Sequence, residues 1–259
     1  MASKLNLNKD PLVAKAVTSL VNHCENDPKL KNDKNIHITI TMSKKPAVSK
    51  DHTPRIIPLS CCKLNKPKEL RILLITKDPS TFYKDILTKD EATSELFKEI
   101  IGLKNLKRRF RGSKLNQLYK EFDLIVADYR VHHLLPTVLG SRFYNGNKKL
   151  PFVIKMSRKE LVRHQKTEEE CDPIYVRAQI RSICKNTSYV LSGDDTIAVK
   201  IGVLHKHSIS EMVENIQDIV DFLSDKTKKP QGGIIKGGIK KIWVKTPNSD
   251  SLAIYDSTN

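Results

Sequence analysis

The feature that most constrains the fold is a change of hydrophobic texture that occurs twice along the chain. Asn35 to Met42, NIHITITM, alternates apolar and polar side chains, as a strand with one wet face requires. From Leu70 the runs become continuous. LRILLIT at 70–76 and the stretch from Phe122 to Ala127 suit strands buried on both faces of a parallel sheet. After about Lys159 alternation returns, in Thr187 to Leu191, Ala198 to Val203 (AVKIGV) and Ile239 to Lys245 (IKKIWVK). One sheet cannot present both textures. The pattern therefore predicts a discontinuous α+β domain from residues 1–65 and 161–259, interrupted by an inserted α/β domain at 66–160.

The intervening segments fit that division. Asp10 to Cys24 reads as a helix, with Asp10 as cap, Pro11 in the first turn, and Val13, Ala16, Val17, Leu20 and Val21 on one face. Ser43 to Pro54 is a polar loop. Arg55 to Leu59 is a short strand whose Pro58 marks an edge or an end. Cys61 to Glu69 is a Lys/Pro-rich domain crossing. In the insert, Asp78 and Pro79 open a helical stretch, Val131 to Leu139 is a helix, and Phe152 to Lys155 is a third strand. Strands alternating with helices imply a parallel sheet in Rossmann-like layers. Ile174 to Lys185 and Ser208 to Leu223 are further helices, the second capped by Ser208 or Ser210. Residues 224–238 read as a Lys/Pro/Gly linker.

Charge narrows the partners. The chain has 259 residues, 46 Lys+Arg against 29 Asp+Glu, and a formal net charge of +17. Such a balance favours polyanions. Most of the excess lies in 66–160. Lys104 to Lys120, KNLKRRFRGSKLNQLYK, holds seven basic residues and no acid. It is a solvated helix face, a phosphate-contacting segment or a nuclear-import signal. Aromatic residues are 6%, too few for base stacking or membrane anchoring to dominate. No 18-residue apolar run and no N-terminal apolar segment occur, so neither a membrane span nor a secretory signal is expected. Five cysteines without a C-x-x-C argue against a disulfide framework or a zinc site. A reduced, intracellular, soluble protein is expected.

Catalytic patterns are missing. No G-x-G-x-x-G follows a strand, so no nucleotide cofactor is expected. GGIIKGGIK at 232–240 fails as a P-loop because Gly238 is followed by Ile239; it reads as a flexible connector. EEECD at 168–172 is a solvated face rather than a metal cluster. Cys61-Cys62 reads as a thiol pair in a loop or buried, and His132-His133 as packing or solvent-facing residues. Asp194-Asp195 sit in an SGDDT turn. No G-x-S-x-G, H-E-x-x-H or Cys/His nucleophile is present. A binding protein is expected, with no enzyme activity, cofactor, metal or small-molecule substrate.

Four segments together resemble the ribosomal protein L-one superfamily. They are HTPRIIPLS at 52–60, FDLIVADYRVHHLLPTVLGSRFYNGNKKLPFVI at 122–154, VKIGVLHKHSISEMVENI at 199–216 and IKKIWVKTPNSDSLAIY at 239–255. They span most of the chain in the family's order. The resemblance implies the two-domain ribosomal L-one fold, a discontinuous α+β domain with an inserted Rossmann-like three-layer α/β domain, and an RNA ligand held mainly by the first domain. LKNLKRRFRGSKLNQLYKEFD at 103–123 is similar to a lysine-rich segment of the eukaryotic nucleolar branch, whose members are ribosome-assembly factors. The short length and absent tails look like the yeast-type member of the small-subunit processome, and its paralogue on the large-subunit pathway is also similar.

The resemblance thus implies a nucleolar, non-catalytic factor. Its partners would be pre-rRNA and assembly factors of the pre-ribosome, without a membrane, and it would be a monomer outside the particle. Candidate RNA contacts are Arg55, Lys107, Arg108, Arg109, Arg111, Lys155, Lys200, Lys240, Lys241, Lys245, Thr246, Asn248 and Ser249. Lys200 and Lys245 read equally as ordinary solvent-facing strand lysines. Where the ribosomal protein has Thr-Met-Gly in its closing loop, this chain has Pro247, Asn248 and Ser249. Proline lacks an N–H and serine reaches positive φ less easily than glycine, which implies a different RNA or a weaker grip. The alternatives are a protein–protein scaffold with a weakened RNA site, and a true large-subunit stalk protein.

Overall fold

In the computed structural model, residues 5–30, 32–46, 52–61, 64–147, 149–158, 170–191 and 193–257 are described. The alternating segment is strand β1, Asn35–Lys44. Its Ile36, Ile38, Ile40 and Met42 are fully buried, which fixes which face packs. β1 sits inside an antiparallel sheet of order β10-β9-β1-β8, where β8 is Thr196–Val203, β9 Lys236–Lys245 and β10 Leu252–Asp256. Helix α1, Pro11–Asn26, and helix α9, Ile209–Ser224, join the apolar face in one core. Asp10 caps α1 by accepting from the Leu12 N–H at 2.9 Å. Ser208 caps α9 in a reciprocal box with Glu211. Strand β2, Arg55–Ile57, ends before Pro58 and pairs antiparallel with β7, Thr187–Tyr189.

The continuous apolar runs form a parallel sheet of order β4-β3-β5-β6. Its strands are β3 Ile72–Thr76, β4 Glu99–Gly102, β5 Leu124–Asp128 and β6 Phe152–Ile154. All five residues of β3 are buried. Helix α2, Ser80–Lys89, links β3 to β4; α3, Leu103–Arg109, and α4, Lys114–Glu121, link β4 to β5. The chain steps outward to β4 and then back across β3. Right-handed crossovers therefore place α2 on one face and α4 on the other. At the end of β5 the buried Asp128 binds the Arg130 guanidinium, which also donates to the Tyr83 hydroxyl at 2.7 Å.

The mixed α/β class and its two kinds of sheet agree with expectation; four local readings need correction. The helix over 131–139 is three short ones: α5 Tyr129–His132, α6 Leu135–Leu139 and α7 Ser141–Tyr144. Pro136 has no N–H to continue a helix into α6, and Gly140 at φ +62° ends it. β4 and β10 were not anticipated. They are short, and only parts of them are buried. The connector over 232–240 is ordered from Lys236 as the start of β9.

The fourth concerns the boundary. The chain divides into one unit of Met1–Asp51, Arg55–Leu64 and Lys185–Asn259, and another of His52–Pro54 and Asn65–Cys184. Helix α8, Pro173–Lys185, therefore lies almost wholly within the inserted unit, and the return falls at 184/185 instead of 160/161. The cause is specific. The Gln179 side chain accepts from the Lys155 N–H at 3.0 Å and donates to its carbonyl at 2.8 Å, while the Asp172 N–H donates to the Met156 carbonyl. Residues 159–169, including Glu168 and Glu169, lie outside the described residues, as do Cys62 and Lys63 at the first crossing.

Candidate nucleic-acid interface

The alternation that buries Ile36 and Ile38 turns His37, Thr39 and Thr41 to the opposite face. Register then decides their neighbours. His37 stands opposite Lys200 of β8 and Lys245 of β9. Adjacent strands lie about 4.8 Å apart, so the three side chains form one row across the sheet. Thr39 stands between Ala198 and Trp243, and Thr41 between Thr196 and Lys241.

The row is electrostatically unusual. Burial, reinforced by the Lys200 and Lys245 ammonium groups, pushes the His37 imidazole down to about 4, with Asp33 opposing. Burial, then Lys206, pushes Lys200 down to about 8. At neutral pH His37 is therefore an uncharged hydrogen-bonding group between two lysines. An anion seated there would favour the charged forms of both residues.

A fixed loop borders the row. Asp33 is buried, and its carboxylate accepts from Thr246 Oγ1 at 2.7 Å, from the Asn248 N–H at 2.9 Å and from Asn248 Nδ2 at 2.7 Å. Burial would raise its pKa, but the hydrogen bonds from Thr246 and Asn248 outweigh that and hold the carboxyl below its ordinary value. Ser249 completes the turn: its Oγ accepts from the Thr246 N–H at 2.9 Å, and its N–H donates to Thr246 Oγ1 at 3.1 Å.

The structure sorts the predicted contacts. Lys200 and Lys245 come together on the row. Thr246, Asn248 and Ser249 adjoin it, but their side chains hold the loop. Lys241 pairs with Asp256 at 2.8 Å, while Lys240 is exposed beside it. Arg55 donates to the Pro230 carbonyl at 2.9 Å. The remaining candidates belong to the inserted unit. Lys155 is exposed after β6. Lys107, Arg108 and Arg109 close α3, whose last carbonyls attract cations. Arg109 binds Glu99, Arg108 donates to Asn105 at 3.1 Å, and Arg111 donates to the Lys107 carbonyl at 2.8 Å.

Two participants escaped sequence reasoning. His37 was legible, because the alternation places it on the polar face. Asp33 was not, because its partners lie more than two hundred residues away. Among the described residues no group of three His, Cys, Asp or Glu side chains could hold a metal ion, and no helix is long and apolar enough to cross a membrane.

An antiparallel sheet with helices on one face and a row of Lys200, His37 and Lys245 on the other, interrupted in sequence by a parallel α/β unit, defines a split two-unit protein. The profile of the ribosomal protein L1p/L10e family matches residues 20–250, and the chain belongs to that family. It is 61% identical over 255 residues to "Ribosome biogenesis protein UTP30" of Saccharomyces cerevisiae, covering 98% of this chain and 93% of that protein. It is 29% identical over 194 residues to "Putative ribosome biogenesis protein C8F11.04" of Schizosaccharomyces pombe, covering 74% of this chain and 47% of that protein. It is also 26% identical over 195 residues to the mouse (Mus musculus) "Ribosomal L1 domain-containing protein 1", covering 72% and 38%.

Proposed function

We propose that this protein is a non-catalytic ribosome-biogenesis factor that binds pre-rRNA within nucleolar pre-ribosomal particles of the small-subunit pathway. The biogenesis role is supported by the 61% identity to a protein of that name over nearly the whole chain. RNA binding is supported by one observation above the others: the Lys200–His37–Lys245 row on a rigid sheet face beside the Asp33-held loop. A β face with cations and hydroxyls suits structured RNA, read through phosphates, 2′-hydroxyls and shape. Lys107, Arg108 and Arg111 of the inserted unit would add phosphate contacts. The partners would be pre-rRNA and neighbouring assembly factors.

A protein–protein scaffold is the second reading, favoured because Thr246, Asn248 and Ser249 direct their side chains into the loop itself. UV crosslinking of the tagged protein in cells, with sequencing of bound RNA, separates the two. Reads concentrated at one small-subunit pre-rRNA site are expected. Background crosslinking despite co-sedimentation with pre-ribosomes would establish the scaffold. Stoichiometric recovery with mature large subunits would instead make it a stalk protein.

A further inference from the structure

The glycine-rich stretch at 232–240 has no part in the function proposed above, yet it is built in detail. β9 is out of step with β1 twice, between Thr41/Met42 and between Met42/Lys44. In the register, Met42 faces Ile239 and Lys44 faces Lys236, so β9 carries the extra residues. A bulge leaves its extra residue outside the ladder and sharpens the local twist. Gly237 and Gly238 supply the required backbone, at φ +77° and +96°. A Cβ on Gly237 would lie 3.2 Å from Lys44 Cγ, so the Lys44 stem lies across that glycine. A Cβ on Gly238 would meet only the Ser43 hydroxyl, at 3.9 Å.

The result is a strip of side-chain-free, exposed backbone bordered by lysines. Lys44, Lys45, Lys236 and Lys240 are all exposed. None has a carboxylate partner among the described residues, in contrast to Lys241, which Asp256 neutralises. The strip lies seven residues along β1 from His37, about 23 Å at strand rise. Four exposed ammonium groups around exposed glycine backbone suit a ligand with closely spaced anions that approaches the main chain. A phosphodiester chain does this, because its oxygens accept from both backbone N–H and lysine.

We propose that Lys44, Lys45, Lys236 and Lys240, with the exposed Gly237–Gly238 backbone, form a second RNA-phosphate contact at the end of the sheet remote from the Asp33 loop. The proposal rests on the RNA-binding reading above. Seven is an odd number of strand residues, so Lys44 leaves β1 on the face opposite His37, and only RNA long enough to span about 23 Å and pass over the end of the sheet engages both contacts.

The test uses the full chain and an RNA hairpin of about 20 base pairs, titrated by fluorescence anisotropy across a potassium chloride series. The variant Lys44→Gln/Lys45→Gln/Lys236→Gln leaves the glycines and the fold untouched, which its urea midpoint verifies. Its log Kd against log salt plot should be shallower by roughly 0.7–0.9 per lost phosphate contact, about 2.1–2.7 for all three. A slope equal to wild type overturns the proposal. If Lys200→Gln/Lys245→Gln weakens binding while the triple variant leaves the slope unchanged, only the second contact falls. A wild-type chain that does not bind the hairpin overturns both readings. Equal wild-type affinity for poly-glutamate, lost in the triple variant, would assign the strip to an acidic protein partner and also overturn the proposal.

Discussion

Replacing Asp33 with alanine should loosen the loop that closes the candidate interface, and its cost can be worked from the contacts. The carboxylate accepts three hydrogen bonds. Hydrogen bonds to a charged group contribute about 1.5–3 kcal/mol each when they cannot be replaced. Asn248 is exposed, so water takes over its two. Thr246 is fully buried and cannot recruit water. The expected loss is therefore about 2–3 kcal/mol, close to one irreplaceable bond.

Trp243 is the only tryptophan, and it lies on β9 three residues before Thr246. Its fluorescence reports unfolding of this unit in urea. With a slope of about 1.5–2 kcal/mol per molar, the midpoint should fall by roughly 1–2 M. The pH dependence has a definite sign. The folded carboxyl titrates below its ordinary value, so its contribution is fully present above about pH 4 and is lost as pH falls through the folded pKa. The gap between wild type and Asp33→Ala should hold from pH 7 to about 5 and close below about 4. A midpoint shift under about 0.3 M at pH 7, or a gap undiminished in acid, would refute this account of the loop.

Two other perturbations probe the cations. The folded His37 titrates at about 4 against an ordinary 6.5, so the unfolded chain binds more protons between those values. Wild type should lose stability relative to His37→Gln as pH falls from about 6.5 to 4, read by Trp243 urea midpoints; a gap independent of pH would contradict it. Changing Lys107, Arg108, Arg109 and Arg111 together to alanine should weaken RNA binding and flatten its salt dependence by roughly 0.7–0.9 per lost contact. Arg109 is held by Glu99, so three contacts are the ceiling, and an unchanged slope would give the segment another role.

Much of this architecture was legible because burial writes directly into sequence period. β1, β3 and β5 were read from alternation or its absence, and α1 and α9 from their caps and apolar stripes. The misses have physical reasons. β10 pairs at the rim of its sheet, and within it only Ile254 is buried. α8 carries an ordinary amphipathic pattern, and nothing local shows that Gln179 binds the backbone at Lys155. At the candidate site, the lysines were found by type and strand position. Their meeting around His37 depends on register between strands some 160 and 200 residues apart, which no local pattern encodes. The two glycines of β9 misled because glycine marks flexible chain and strained bulge alike.

The closing loop shows how a changed sequence can keep a turn by other means. Among the described non-glycine residues only His205 has positive φ. Ser249 therefore closes the turn without a left-handed residue, and side-chain hydrogen bonds do the closing. Thr246 Oγ1 is the hub, donating to Asp33 while accepting from the Ser249 N–H. Ser249→Gly removes the hydroxyl that accepts from the Thr246 N–H and adds backbone freedom, together about 1.5–2 kcal/mol. It would destabilise even though glycine suits many tight turns. Asp33 holds Thr246 by its hydroxyl and Ser249 Oγ holds it by its N–H, so both act on one residue and their losses should not add: once Thr246 is released by either change, the second removes less. A double-mutant cycle on the Trp243 transition should give a coupling of about 0.5–1.5 kcal/mol. Strict additivity would mean that the two residues hold the loop independently and that Thr246 is not its hub.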